Sequence, residues 1–160
     1  MAVWLIRAGS HGEFEDKFIQ DGKVYATWDE LDVNIATLAN KDELIKILSK
    51  LHPENKPKAI ANWASQLWPF AHEIAKSDWV VLPLKTQRAI QIGEITGGYH
   101  FEQHGTDACS HWLPVKWIGD AVPRENFGKD LLNTFGALMT ICRVKRNNAE
   151  KRLAAMRDNG

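Results

Sequence analysis

The chain has 160 residues, 44% hydrophobic and 25% charged, with 20 basic and 20 acidic side chains that cancel to zero formal net charge. That balance excludes a disordered polypeptide and predicts one globular domain with a real core. It also excludes a protein held to nucleic acid by bulk charge, which would be basic overall; such binding would need a local patch and a pocket.

Charge is unevenly spread: residues 1–55 hold 10 acidic and 6 basic side chains, residues 56–160 hold 10 and 14. The start, MAVWLIRAG, is apolar but lacks the basic lead and long apolar run of a secretion signal. It predicts a strand over Val3–Ala8. No apolar run approaches the roughly 20 residues of a membrane span, and Cys109 and Cys142 are too few for a disulfide framework. A cytoplasmic protein is expected.

GSHGEFEDKF then predicts a turn running into a short acidic helix. KVYATWDEL alternates Val24, Ala26 and Trp28 against Tyr25 and Thr27, the period of a strand. NKDELIKILSKLH places Asn40 as N-cap, acids in the first turn, and Leu44, Ile47, Leu48 and Leu51 at helical spacing. Pro53 ends that helix, and Asn55 with Pro57 starts the next. Its stripe is Ile60, Trp63, Ala64 and Leu67, and Pro69 is expected to interrupt it.

DWVVLPLK predicts a buried strand. AIQIGEITGGYHF predicts another, with Gly93 as a bulge or close approach and Gly97-Gly98 as a bend. HWLPVKWIGDAVP predicts a third, pushed to an edge or bulge by Pro114. GKDLLNTFGALMTICRV reads as a helix or helix–turn. KRNNAEKRLAAMRDNG reads as a basic amphipathic helix. Strands that follow one another without crossover helices argue an α+β fold, not a doubly wound one.

Little in the chain points to catalysis. It has no phosphate-loop, dinucleotide, nucleophile-elbow or zinc-protease motif. HFEQHGTDACSH gathers His100, His104, Asp107, Cys109 and His111, yet without regular zinc spacing, so neither a metal nor a cofactor is expected. Glu15 with Lys17, and Glu54 with Lys56, match only the short half of a magnesium-nuclease pattern. His72 has no partner apparent in sequence. No catalytic residue is assigned.

The seven Trp are the unusual feature, since a buried indole needs a partner for its N–H. Most read as core. Trp68 precedes Pro69, and a residue before proline avoids the helical region. A break there would turn Trp68 and freed carbonyls toward a cavity. Stacking plus edge hydrogen bonds is how flipped bases are read. The alternative is that Pro69 starts a new helix and Trp68 fills the core; the residues alone leave both open.

Three stretches carry a resemblance: VWLIRAGSHGEFEDKFIQDGKVYATWDEL, IANWASQLWPFAHEIAKSDWVVLPLK, and RAIQIGEITGGYHF with HWLPVKWIGDAVPRENF. Over about residues 3–146 the chain resembles the N-terminal domain of Mrr-type bacterial restriction-system proteins. That domain is similar to the EVE/YTH group of the PUA-like superfold. The resemblance implies a curled, mostly antiparallel barrel with helices packed around it. It implies a reader domain over 1–146 that binds double-stranded DNA and takes a flipped, modified base into an aromatic cage. Residues 147–160 are expected as a basic helical tail or linker toward a C-terminal nuclease domain. On this reading Trp28 and Trp68 wall the pocket, Asp29, Asn62, Ser65 and Gln66 read the base edge, and Arg7, Lys85 and Arg88 contact phosphates. The alternative class is an RNA-binding PUA/YTH-like module. A protein-interaction domain without a pocket and an active nuclease are further readings.

Overall fold

The computed structural model describes residues 2–9, 11–28, 31–102, 109–135, 139–144 and 148–158. Among the described residues eight strands form one sheet, with the path β2-β6-β4-β3-β1-β8 and short strands β5 and β7 beside β6 and β4. In chain order the strands are β1 (Val3–Ile6), β2 (Lys23–Ala26), β3 (Trp79–Pro83) and β4 (Ala89–Ile95). They continue with β5 (His100–Phe101), β6 (His111–Trp117), β7 (Val122–Pro123) and β8 (Ile141–Arg143). The helices are α1 (Glu15–Asp21), α2 (Lys41–Leu51), α3 (Pro57–His72), α4 (Lys129–Phe135) and α5 (Ala149–Asp158). A 3-10 turn, Ile35–Thr37, lies before α2.

The fold is α+β, a curled mixed sheet forming a half-barrel. β1 runs parallel to β3, Val3 opposite Trp79, and every other pairing is antiparallel. A parallel pair needs a crossover, and the chain supplies one in the long excursion holding α1, β2, α2 and α3. Among the described residues β2 and β8 end the path, so the sheet curls without closing.

β1 and β3 are buried along their whole length because helices cover both faces of the sheet. On one face Trp4, Ile6, Val80 and Leu82 pack with Phe18 of α1, Leu44 and Leu48 of α2, and Ile60, Leu67 and Phe70 of α3. On the other, Val3, Leu5, Trp79 and Val81 pack with Leu131 of α4 and Ala149 and Leu153 of α5. Alternate residues of one strand therefore serve two cores. Asp78 pins the entry to β3: its carboxylate accepts from Trp4 Nε1 (3.1 Å), Ala2 N (3.0 Å) and Ala75 N (3.0 Å).

Asn40 caps α2 as expected, accepting from Glu43 N at 3.1 Å, and Pro57 opens α3. Four expectations need correction. α3 runs unbroken through Pro69 to His72. Proline removes one donor, but its carbonyl still accepts from Glu73 N (2.8 Å) and Ile74 N (2.9 Å), and Phe70 is fully buried one residue on. Tertiary burial of that apolar stripe outweighs the local cost. The strand expected through Trp28 ends at Ala26, and the stretch 89–101 holds two strands, not one. The stretch 128–144, expected as a helix or helix–turn, holds the helix Lys129–Phe135 and then a strand, Ile141–Arg143, beside β1. Among the described residues no helix is long and apolar enough to cross a membrane.

Residues 147–160 were expected as a basic helical tail or linker, and Ala149–Asp158 is helical. Yet α5 buries Ala149 and Leu153 completely or nearly so in the second core, and Arg152 pairs with Asp130 of α4. Leu153→Ala is therefore expected to lower stability by about 2–5 kcal/mol, read as the midpoint of urea unfolding; a mere tether would leave it unchanged. Pro69→Ala is expected to raise stability by about 2 kcal/mol, the ~3 kcal/mol cost of an interior proline less the ~1 kcal/mol by which proline restricts the unfolded chain. The same urea measurement checks it.

Candidate functional site: a basic cleft at the end of the sheet

The β3–β4 turn, residues 84–88, crosses the end of the sheet next to the end of β1. What holds it is a buried acid. Glu15, 3% exposed, accepts from Lys85 N at 2.8 Å and from Thr86 Oγ1 at 2.7 Å. A buried carboxylate must be hydrogen-bonded to be tolerated, and the turn supplies the donors. Gly12 makes room for it. Its φ is +73°, and a Cβ there would collide with the Glu15 carboxylate.

Arg7, Lys85, Arg88 and Arg124 converge on a cleft of about 420 Å³ beside this turn, with Gln87 at its rim. Arg124 is anchored by its guanidinium donating to Leu84 O at 3.3 Å. Lys85 and Arg88 are exposed, and no ion pair engages them among the described residues. Burial pulls the Arg7 pKa down and Arg124 lowers it further, while Cys142 opposes both. The Cys142 thiol is itself pushed up by burial. Like charges held together in this way repel, and an anion entering the cleft relieves that repulsion. The three residues expected at phosphates thus share one cleft. Arg124 was missed because it lies 36 residues beyond Arg88, at the start of a 3-10 turn, Arg124–Asn126.

The residues expected at the base pocket are not gathered in this way. Asn62 and Ser65 lie exposed on the solvent side of α3, and Ser65 Oγ donates back to Ala61 O at 3.0 Å. Gln66 points the other way. It is 4% exposed, and its Oε1 accepts from Thr140 N (2.9 Å) and Ile141 N (3.0 Å). That amide fastens α3 to β8 and has no acceptor capacity left for a ligand. Trp68 stacks on His72, ring centroids 3.8 Å apart, and His72 Nε2 donates to Ile35 O at 3.0 Å. Trp28 is half-buried just past β2. Asp29 lies outside the described residues, as do His104 and Asp107.

His100 and His111 have structural partners. His100 stacks on Trp112 at 4.1 Å, with the Lys23 ammonium 3.9 Å from the indole centroid. His111 is completely buried. Its Nε2 donates to Leu31 O at 2.7 Å, so its Nδ1 accepts from Tyr99 Oη at 2.6 Å. Tyr99 Oη in turn accepts from Ile35 N at 3.3 Å. This network fixes His111 neutral and ties residues 31–35 to the sheet. Burial lowers the His111 pKa, against weaker raising by the Leu31 carbonyl and Asp32. Burial pushes the Tyr99 hydroxyl up to about 12.

The folded state therefore binds its His111 proton more weakly than the unfolded chain, whose value is about 6.5. Stability from this group is complete above the unfolded value and falls as pH drops from there through the depressed folded value. The urea midpoint is expected to fall between pH 7.5 and 5.5, and His111→Gln is expected to flatten that slope.

The model of a family described as a domain of unknown function, DUF8426, matches residues 4–145. No curated protein matches the chain.

Proposed function

Since the chain belongs to the DUF8426 family, whose description assigns no function, we propose its role from the geometry: it is a non-catalytic DNA-binding domain of the PUA-like, EVE/YTH-like kind. It reads a modified base and serves modification-dependent restriction. The observation that carries the DNA-binding part is the convergence of Arg7, Lys85, Arg88 and Arg124 on one cleft. Guanidinium groups suit phosphate because their planar donors match its oxygens two at a time. The chain is neutral overall, so this cleft is the local patch that binding requires. The sequence resemblance supports the modified-base and restriction parts, and the curled mixed sheet with helices around it is compatible with that fold family.

Fluorescence anisotropy on one duplex tests the reading. The duplex is unmodified or carries methyladenine, methylcytosine or hydroxymethylcytosine. A preference of tenfold, about 1.4 kcal/mol, for one modification is expected. Arg88→Ala and Arg124→Ala are each expected to weaken binding to all four duplexes alike. Each should also reduce the slope of log affinity against log salt by about 0.9, the value for one lost phosphate contact. Equal affinities with an unchanged salt slope would refute the reading. Tighter binding to single-stranded RNA than to any duplex would replace DNA by RNA as the partner.

A further inference from the structure

A second cleft, of about 390 Å³, lies against the same turn and shares Gln87 with the basic one. Its volume is within the range of small-molecule sites, about 300–1,000 Å³. One wall is the half-buried indole of Trp117, at the end of β6. That ring is fixed from two sides. Its Nε1 donates to Phe18 O at 3.0 Å, and Gly93 beneath it has no side chain to lift it. A Cβ at Gly93 would stand 2.8 Å from Trp117 Cε3.

The same cleft is lined by Ile19 of α1, 39% exposed, the exposed large apolar side chain among the described residues. Ile19 adds apolar surface to the cleft that Trp117 lines.

The polar side chains of this cleft are Gln87, Gln91 and Asp120; the two amides can donate or accept, and the carboxylate accepts. Gln91 is 5% exposed, and its Nε2 donates to Gly119 O at 3.1 Å. Its Oε1 has no hydrogen-bond partner among the described residues. The buried side-chain polar atom left without a partner among the described residues is Trp112 Nε1, so Gln91 Oε1 is open to solvent in the cleft and free to accept from a ligand N–H. Asp120 adds an exposed carboxylate at the rim. An aromatic wall, an apolar wall and two acceptors describe a planar heterocycle with a donor edge.

We propose that the cleft between Ile19, Trp117, Gln91 and Asp120 is the base subsite: it takes an unstacked nucleobase bearing an exocyclic amine, whose flanking phosphates lie across Gln87 in the basic cleft. The inference rests on the DNA-binding reading above and relocates the base from the neighbourhood of Trp28 and Trp68. Trp117 stacks on the base, and Gln91 Oε1 and Asp120 accept from its amine. Thymine, which offers no exocyclic amine, is the disfavoured base.

Indole-¹⁵N NMR of the full chain tests it, with the Trp117 resonance assigned through Trp117→Phe. The titrant is a short single strand carrying one base between abasic sites: adenine, methyladenine, cytosine, methylcytosine or thymine. The Trp117 Nε1–H resonance is expected to move with the amine-bearing bases and far less with thymine. Asp120→Ala and Ile19→Asp, both at exposed positions, are expected to weaken that response by about fivefold or more without changing the urea midpoint. A strand of abasic sites alone should leave Trp117 unmoved.

Movement of the Trp28 or Trp68 resonance with Trp117 still would overturn the subsite and leave DNA reading intact. So would a Trp117 response indifferent to both substitutions. A Trp117 response to bases combined with equal affinity for every duplex in the anisotropy panel would sustain the subsite and sink the modified-DNA reading. No indole response and no duplex binding would sink both.

Discussion

The buried carboxylate of Glu15 sets the geometry on which both clefts depend. It sits at the start of α1, yet its hydrogen bonds reach 70 residues along the chain to Lys85 N and Thr86 Oγ1. A carboxylate so enclosed is tolerated only when its lone pairs are filled. The requirement works in both directions: the turn stabilises the acid, and the acid holds the turn. Gln87 and Arg88 follow directly, so the boundary between the basic cleft and the Trp117 cleft is placed by one residue. Gly12, with its positive φ and missing side chain, is the local condition for the acid to be there.

The sheet explains why such distant segments meet. The parallel register of β1 and β3 brings Arg7, just past β1, to the same end of the sheet as Lys85, just past β3. An antiparallel pairing would have sent those two cations to opposite ends. The crossover between the strands carries α1, so the helix that provides Glu15 and Ile19 is laid over the same region. α4 and α5 cover the opposite face, leaving the end of the sheet open.

Polar partners sort the tryptophans by role. Trp4 donates to Asp78 and Trp117 to Phe18 O, which fixes one in the core and the other as a rigid wall. Trp63 meets His52 edge-on and Trp68 lies flat on His72, so those two finish the α3 surface. Trp112 is held between His100 and Lys23, and its Nε1 is buried without a partner. The indole that combines a fixed orientation with an adjacent cleft and an exposed apolar neighbour is Trp117.

Local pattern in the sequence determined the elements with strong periodicity or clear stops. Asn40 as cap of α2, Pro57 as start of α3, the strands around Val80 and Ile92, and the α+β class all follow from short-range chemistry. Arg7, Lys85 and Arg88, named together on the family resemblance, do line one cleft. Tertiary structure alone decided the rest. Pro69 stays helical because burial of Phe70 and Leu67 outweighs one lost hydrogen bond. Gln66 turns inward because the edge strand β8, itself invisible in the sequence, leaves two backbone N–H groups needing an acceptor. Arg124, Glu15 and Trp117 gain their places from contacts 40 to 99 residues apart. Side-chain periodicity reports which face of an element is buried; it carries no information about which distant element will supply the partner.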